Sequence, residues 1–194
     1  MRFTQIPTNT FEQLQLNAGM ILTDFDPTDP DIAQADILGA TTGGATFTAA
    51  ATYRDNGEDI DNCPKNMMEL KVLESWEVTL SGTLLTISAA SAAKLAAAAD
   101  VSSNKITPRN DLQAADFGDI WWVGDYSDKN GDTKGGFIAI RVLNALSTGG
   151  FQLRSQDKEK GQFAFVFTGH YSMEAQDTVP FELYVQAGTA EPSG

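Results

Sequence analysis

The segment Asp125-Tyr-Ser-Asp-Lys-Asn-Gly-Asp132 gathers oxygen donors of the kind that hold calcium. Its spacing is not that of an EF-hand, which needs alternating ligands before the glycine and a closing glutamate. It therefore reads as a hairpin tip. Thr41-Thr-Gly-Gly-Ala-Thr46 is glycine-rich but has no Gly-Lys-Ser/Thr to cradle a phosphate, and reads as a loop or the start of a strand. His170 is the chain's one histidine, so a Ser-His-Asp relay would have to pass through it. No serine sits in a nucleophile-elbow motif, and His170 is expected to be structural or at an interface. Cys63 has no partner for an intrachain disulfide, and with His170 alone beside it the ligands for a structural zinc are missing. Carboxylate pairs for glycoside hydrolysis depend on three-dimensional separation, and with 26 acids some pair will be close by chance. Trp121, Trp122 and Tyr126 could stack on a sugar. Adjacent residues of one strand point to opposite faces, however, so one tryptophan should be core and the other covered by a loop or a partner. For each of these residues a structural role outweighs a chemical one, so no metal or cofactor is expected and an enzyme is the third-ranked reading. A carbohydrate-binding β-sandwich that uses the three aromatics is the alternative.

The elements that must position these residues are mostly strands. Leu14, Leu16, Ala18, Met20 and Leu22 alternate with Gln13, Gln15, Asn17, Gly19 and Ile21. Phe47, Ala49, Ala51 and Tyr53 alternate with Thr46, Thr48, Ala50 and Thr52, and Trp76, Val78 and Leu80 with Glu77, Thr79 and Ser81. This two-residue period is that of half-buried strands. Past Gly82 the apolar face changes, which predicts a bend or bulge. Two paired segments follow, 119–125 with 136–143 around Asn130-Gly131, and 151–155 with 162–168 around 157–161. The last strand is 181–185. Phe163, Phe165 and Phe167 share one face of their strand, while Ala164 and Val166 make the other face apolar as well. That second face needs cover from the helix or a neighbouring chain. Ser88 is a suitable N-cap for an Ala-rich helix over about 88–99. Residues 24–36 and 54–66 are long acidic loops, the first broken by Pro27 and Pro30. The fold class expected is mainly β: a sandwich or barrel of two packed antiparallel sheets with one flanking α-helix. It forms a single domain over 1–187, with a frayed polar tail at 188–194.

The chain of 194 residues has 26 acids against 13 bases, a formal net charge of −13. Residues 1–62 hold ten acids and two bases. The basic pairs Lys158/Lys160 and Lys129/Lys134 lie among acids, so the chain lacks the basic patches that grip nucleic acid or an anionic membrane. No apolar run reaches membrane-spanning length, and the first residues lack the apolar stretch of a secretory signal. Folding in a cytoplasm with Cys63 reduced is the expectation.

Several segments resemble the major tail (tail tube) proteins of long-tailed bacteriophages and prophages of Gram-positive bacteria. They are Gly57-Glu-Asp-Ile-Asp-Asn62 with Pro64-Lys-Asn66 and Glu69-Leu-Lys71, Trp76-Glu-Val-Thr-Leu-Ser-Gly82, Ile106-Thr-Pro-Arg-Asn-Asp111, Asp119-Ile-Trp-Trp-Val-Gly-Asp-Tyr126 and Asn144-Ala-Leu-Ser-Thr-Gly-Gly-Phe151. Phe167-Thr-Gly-His-Tyr-Ser172 and Asp177-Thr-Val-Pro-Phe181 complete the set, which spans roughly 11–185. The resemblance implies a β-sandwich with one helix that assembles into hexameric rings stacked as a hollow tail tube. It implies a virion structural protein, made in the bacterial cytoplasm and found in the tail, with no catalytic residues. Its implied partners are further copies of itself, a tape-measure protein inside the tube, and tail terminator and distal tail or baseplate proteins. DNA passes through without adhering. The inner tube of a contractile, phage-tail-like particle shares the fold and is a related possibility.

Two expectations about residues follow. The polar faces around Gln13, Gln15 and Asn17, and around Glu77, Thr79, Ser81 and Thr83, carry no Lys or Arg and should include the bore surface. The acidic loops, above all Gly57, Glu58, Asp59, Ile60, Asp61 and Asn62, should make ring-to-ring or neighbour contacts.

Overall fold

The structure is a computed structural model that describes residues 5–8, 10–126 and 135–188. The chain is mainly β, with about 49% strand and 9% helix. A 3-10 turn over Thr10–Gln13 precedes β1 (Gln15–Leu22). β2 (Thr41–Asp55) and β3 (Lys71–Leu84) form one long hairpin. Helix α1 (Ala89–Leu95) leads into a small hairpin of β4 (Ala99–Ser102) and β5 (Lys105–Pro108). β6 (Gly118–Tyr126), β7 (Gly136–Ser147), β8 (Gln152–Arg154), β9 (Gln162–Thr168) and β10 (Phe181–Gln186) complete the chain.

The strand order β1-β6-β7-β9-β3-β2 is antiparallel throughout. β10 joins β7, and β8 joins β9. β7 is the seam of this arrangement. Gly136 to Ala145 pair with β6 and Phe137 to Val142 with β10, while Leu146 and Ser147 pair with β9. The sheet folds over a core of Ile21, Val78, Leu80, Leu84, Leu95, Ile120, Val142, Phe165 and Phe167. Phe47 of β2 and Trp76 of β3 meet Phe181 of β10 at 5.6 and 5.5 Å between ring centroids, which joins the two layers. Burying each of the large core side chains stabilises the fold by about 1.5–3 kcal/mol.

The expected sandwich with one flanking helix is present, and its strands lie where the two-residue period placed them. Four details differ. The helix stops at Leu95 rather than near 99, because Ala97 adopts φ 65° and Ala99 is already paired with Pro108. Tertiary pairing outweighs the alanine preference for helix. Its N-terminus is as expected: Ser88 Oγ accepts from Ser91 N, and Ser91 Oγ accepts from Ser88 N (3.1 and 2.8 Å). Residues 99–108, read from the sequence mainly as loop, form the β4–β5 hairpin, with Ser103 at φ 56° in its two-residue turn.

The bulge foreseen at Gly82 sits in the facing strand. Thr42 pairs with Thr83 and Ala45 with Gly82, so Gly43 and Gly44, both at positive φ, are the extra residues. Gly82 still matters, because a Cβ there would lie 2.8 Å from Phe165 Cζ. Ile21, assigned by alternation to a polar face, is fully buried. The end of β1 is covered on both sides, with Ile21 in the main core and Leu22 in a second cluster. The Asn130-Gly131 turn, most of the oxygen-rich segment 125–132, and residues 189–194 of the tail lie outside the described residues.

Candidate assembly surfaces

Glu77, Thr79, Ser81 and Thr83 alternate with the buried Val78, Leu80 and Leu84 and so project from the outer face of β3. The register sets Ala50, Thr48, Thr46 and Thr42 of β2 beside them on one side. Thr168, Val166 and Ala164 of β9 lie on the other. The result is a broad face of small side chains, largely hydroxyl and methyl, on which Glu77 is the one charge contributed by these three strands. Arg154 of β8 borders it beside Gln162. An open groove of about 290 Å³ lies there between Thr83, Gln152, Leu153, Arg154, Gln162 and Ala164. Val166, whose face needed cover, has its side chain against the chain at Gly149. Thr148 N also donates to Val166 O.

Gln13, Gln15 and Asn17 are exposed but lie elsewhere. Gln13 ends the 3-10 turn, outside any strand. Gln15 and Asn17 belong to β1, which β6 and β7 separate from β9. Leu16 pairs with Asp125 and Met20 with Val123, so β1 carries a two-residue bulge, with Asn17 and Gly19 at positive φ. The bulge folds over Trp122, whose Nε1 donates to Ala18 O at 3.0 Å; a Cβ on Gly19 would strike that indole at 2.5 Å. Asn17 Nδ2 donates to Asp125, and Gln15 Nε2 to the Leu16 and Asn17 carbonyls. The two polar sets therefore occupy different sheet regions. Only the β3 set forms a continuous face.

The acidic loops differ from each other. Residues 24–36 fold back across β6 and β7. Phe25 inserts edge-on between Trp121 and Phe137 (5.6 and 5.4 Å), and Ile32 and Ile37 join the same cluster. Thr23 N to Asp36 O and Leu38 N to Ile21 O close its base. Asp26 accepts from Thr28 N and Oγ1, and these bonds hold its carboxyl below the usual carboxylate range.

Residues 54–66 cap the far end of the β2–β3 hairpin, beyond the core. Asp55 accepts from Asn66 N and Gly57 N (2.8 and 2.9 Å). These bonds, with Lys71 and Lys65 nearby, lower its pKa. The turn so fixed leaves Glu58, Asp59, Ile60, Asp61 and Asn62 exposed, while Gly57 is buried against Leu70 and Cys63. The strands leading to it are exposed too. Tyr53 and Leu73 pair across the hairpin at 54% and 47% exposure, and Met68 is 81% exposed. A stretch of hairpin with this much apolar surface in water is a feature the alternation pattern did not reveal.

The edge of β2 is the second such feature. Among the described residues β2 pairs with β3 alone, so its other edge makes no strand pairing, although β1 approaches β2. Sheet edges are normally guarded by Lys, Pro or charge. From Ala45 to Tyr53 this edge has none of them.

The remaining candidates are structural. Trp121 is buried under Phe25 and Tyr184, with the Arg141 guanidinium 5.3 Å from its ring, whereas Trp122 packs toward the main core. The two indoles point to opposite faces and form no shared platform. Arg141 pairs with Asp119 (2.6 Å) and Glu182 (3.0 Å), and Tyr184 donates to Glu182. Burial disfavours the Arg141 charge, but these two carboxylates outweigh that and raise its pKa. The Glu182 bond raises that of Tyr184.

Arg109 reaches Asp116 and Asp100, tying the β4–β5 hairpin to the following 3-10 turn over Ala114–Asp116. Its Nε lies 3.0 Å from Asp100 Oδ1 without aiming its N–H there, so this contact is one of charge rather than a hydrogen bond. His170 stacks edge-on against Phe117 (5.3 Å), with Nδ1 3.1 Å from Asn144 O. Among the described residues no three His, Cys, Asp or Glu side chains converge as metal ligands, and no helix is long and apolar enough to cross a membrane. No protein-family model matches the chain, and no curated protein matches it.

Proposed function

We propose that this chain is a tail tube subunit, a virion structural protein that polymerises as stacked, hexameric rings around a channel for the genome. The observation that carries the reading is the β2–β3 hairpin. It extends beyond the core with an unguarded edge and exposed Tyr53, Leu73 and Met68. Such an edge is a template for pairing with another copy, and repeated head-to-side pairing closes a ring when the rotation allows it. The sandwich and its single helix agree with the resemblance of segments such as 57–71 and 119–126.

In this reading the outer face of β2, β3 and β9 lines the channel. Its hydroxyl and methyl groups, with one carboxylate per copy at Glu77, offer phosphates little to grip apart from Arg154 at its border. Slipperiness then comes from missing cationic contacts more than from dense negative charge. The tape-measure, terminator and distal tail proteins are the partners this role requires.

Negative-stain microscopy of the concentrated protein tests the reading, and rings or tubes with a central channel are expected. Deleting residues 57–62 should abolish stacking while the circular dichroism and melting of the subunit stay unchanged. A channel walled by Lys and Arg, or solid aggregates without a channel, would overturn it. A glycan-array hit by a protein that stays monomeric would favour the carbohydrate-binding alternative, although the opposed Trp121 and Trp122 speak against it.

A further inference from the structure

The two ends of the β2-β3-β9-β8 layer carry opposite charge. β3 starts at the acidic turn and runs from Lys71 to Leu84, about 43 Å at ~3.3 Å per residue. β9 runs the other way, with Phe163 opposite Leu84 and Thr168 opposite Thr79. The β8–β9 turn at 155–161 therefore lies at the end of the layer farthest from the turn at 56–67. The first turn and its flanks, 54–66, hold four acids and two bases. The second region, 152–162, holds Arg154, Lys158 and Lys160 against two acids. In a chain of net charge −13 this is a rare stretch where bases outnumber acids. All three bases are exposed, and among the described residues no carboxylate forms an ion pair with them. Glu58, Asp59 and Asp61 are equally exposed and equally without ion pairs among the described residues.

We infer that the acidic turn of one copy, through Glu58, Asp59 and Asp61, seats against Arg154, Lys158 and Lys160 of the next copy. This rests on the tube reading and names the surfaces that stack. Within one copy the two turns are held a sheet's length apart by the β3 ladder, so they can meet only between copies. The contact is heterologous, because each copy offers one end and accepts at the other; such contacts repeat into open filaments. Elsewhere the copies repel one another, so complementary ends also fix the direction of stacking.

Cysteine cross-linking tests the contact directly. In a Cys63→Ser background, Asp59→Cys with Lys158→Cys should give, on oxidation at low ionic strength, a ladder of disulfide-linked trimers and longer species. Either cysteine alone should give dimers at most. Glu58→Lys with Asp61→Lys should reduce the ladder at least tenfold, and adding Arg154→Glu with Lys160→Glu should restore it, a rescue that misfolding could not mimic. Absence of the ladder, or its persistence after reversal of one end, would overturn the inference. Tubes without a 59–158 cross-link would refute this contact and leave the tube reading standing. A ladder from particles that lack a channel would do the opposite.

Discussion

The loops at 24–36 and 54–66 are both long and acidic, yet one is part of the core and the other stands away from it. Loop 24–36 carries five aspartates, but Phe25 and Ile32 anchor it, with Ile37 just beyond, and four of the aspartates stay exposed while Asp36 is half-buried. Loop 54–66 has no such anchor in the core. Asp55 shapes it locally, Gly57 packs on Leu70 and Cys63, and everything beyond is exposed. Net charge therefore says little about whether a loop docks; a few apolar side chains at the right positions decide it. A docked loop contributes stability to its own subunit. A loop held only by its own hydrogen bonds keeps its side chains available to another molecule.

This contrast can be broken from either side. The largest effect is expected from Phe25→Ala, which removes a buried ring touching Trp121 and Phe137. It should destabilise the subunit by about 3–5 kcal/mol in urea unfolding. A cost below about 1 kcal/mol would mean that loop 24–36 is as free as its counterpart. Next, Tyr53→Ser with Leu73→Ser should cost the subunit at most about 1 kcal/mol, the usual worth of an exposed cross-strand pair. The same pair should prevent ring or tube formation under the microscope.

The smallest effects concern the carboxylates that shape each turn. Asp26 and Asp55 both have lowered pKa values. Their contribution is complete above the ordinary aspartate value and is lost as the pH falls through the lowered one. Cys63 labelling by a disulfide reagent that works in acid should rise severalfold across that window. Asp55→Asn should raise it at neutral pH, while Asp26→Asn should leave it unchanged. Equal responses to the two substitutions would erase the distinction between the loops.

Much of the architecture could be read from the residues. Phe163, Phe165 and Phe167 on one face, Val78 and Leu80 on another, and Ser88 before an alanine run gave the strands, the core and the helix start. What the residues hid has physical causes. Alanine preference could not anticipate that Ala99 would be claimed by a strand pairing with Pro108. The Ser103-Asn104 turn makes a short hairpin look like loop. Phe25 and Ile32 among the aspartates were the available sign that loop 24–36 docks. Of the polar residues proposed for a channel, Glu77, Thr79, Ser81 and Thr83 form one face because they lie beyond the β3 bulge at Glu74, where the alternation is unbroken. Gln15 and Asn17 belong to a bulged strand, where alternation no longer assigns a side. The charge opposition between 58–61 and 154–160 depends on the antiparallel register of β3 and β9, which no local pattern encodes.

The seam strand β7 has a mechanical consequence. Because one unbroken strand is stitched into both layers, with β6 and β10 along most of its length and β9 at its end, melting of one layer should draw in the other. Heat or a pull applied at the hairpin should find a single cooperative unit rather than two that tear apart in turn. In the proposed tube, which would have to hold its shape while something long is driven past it, that all-or-none resistance would be the useful property.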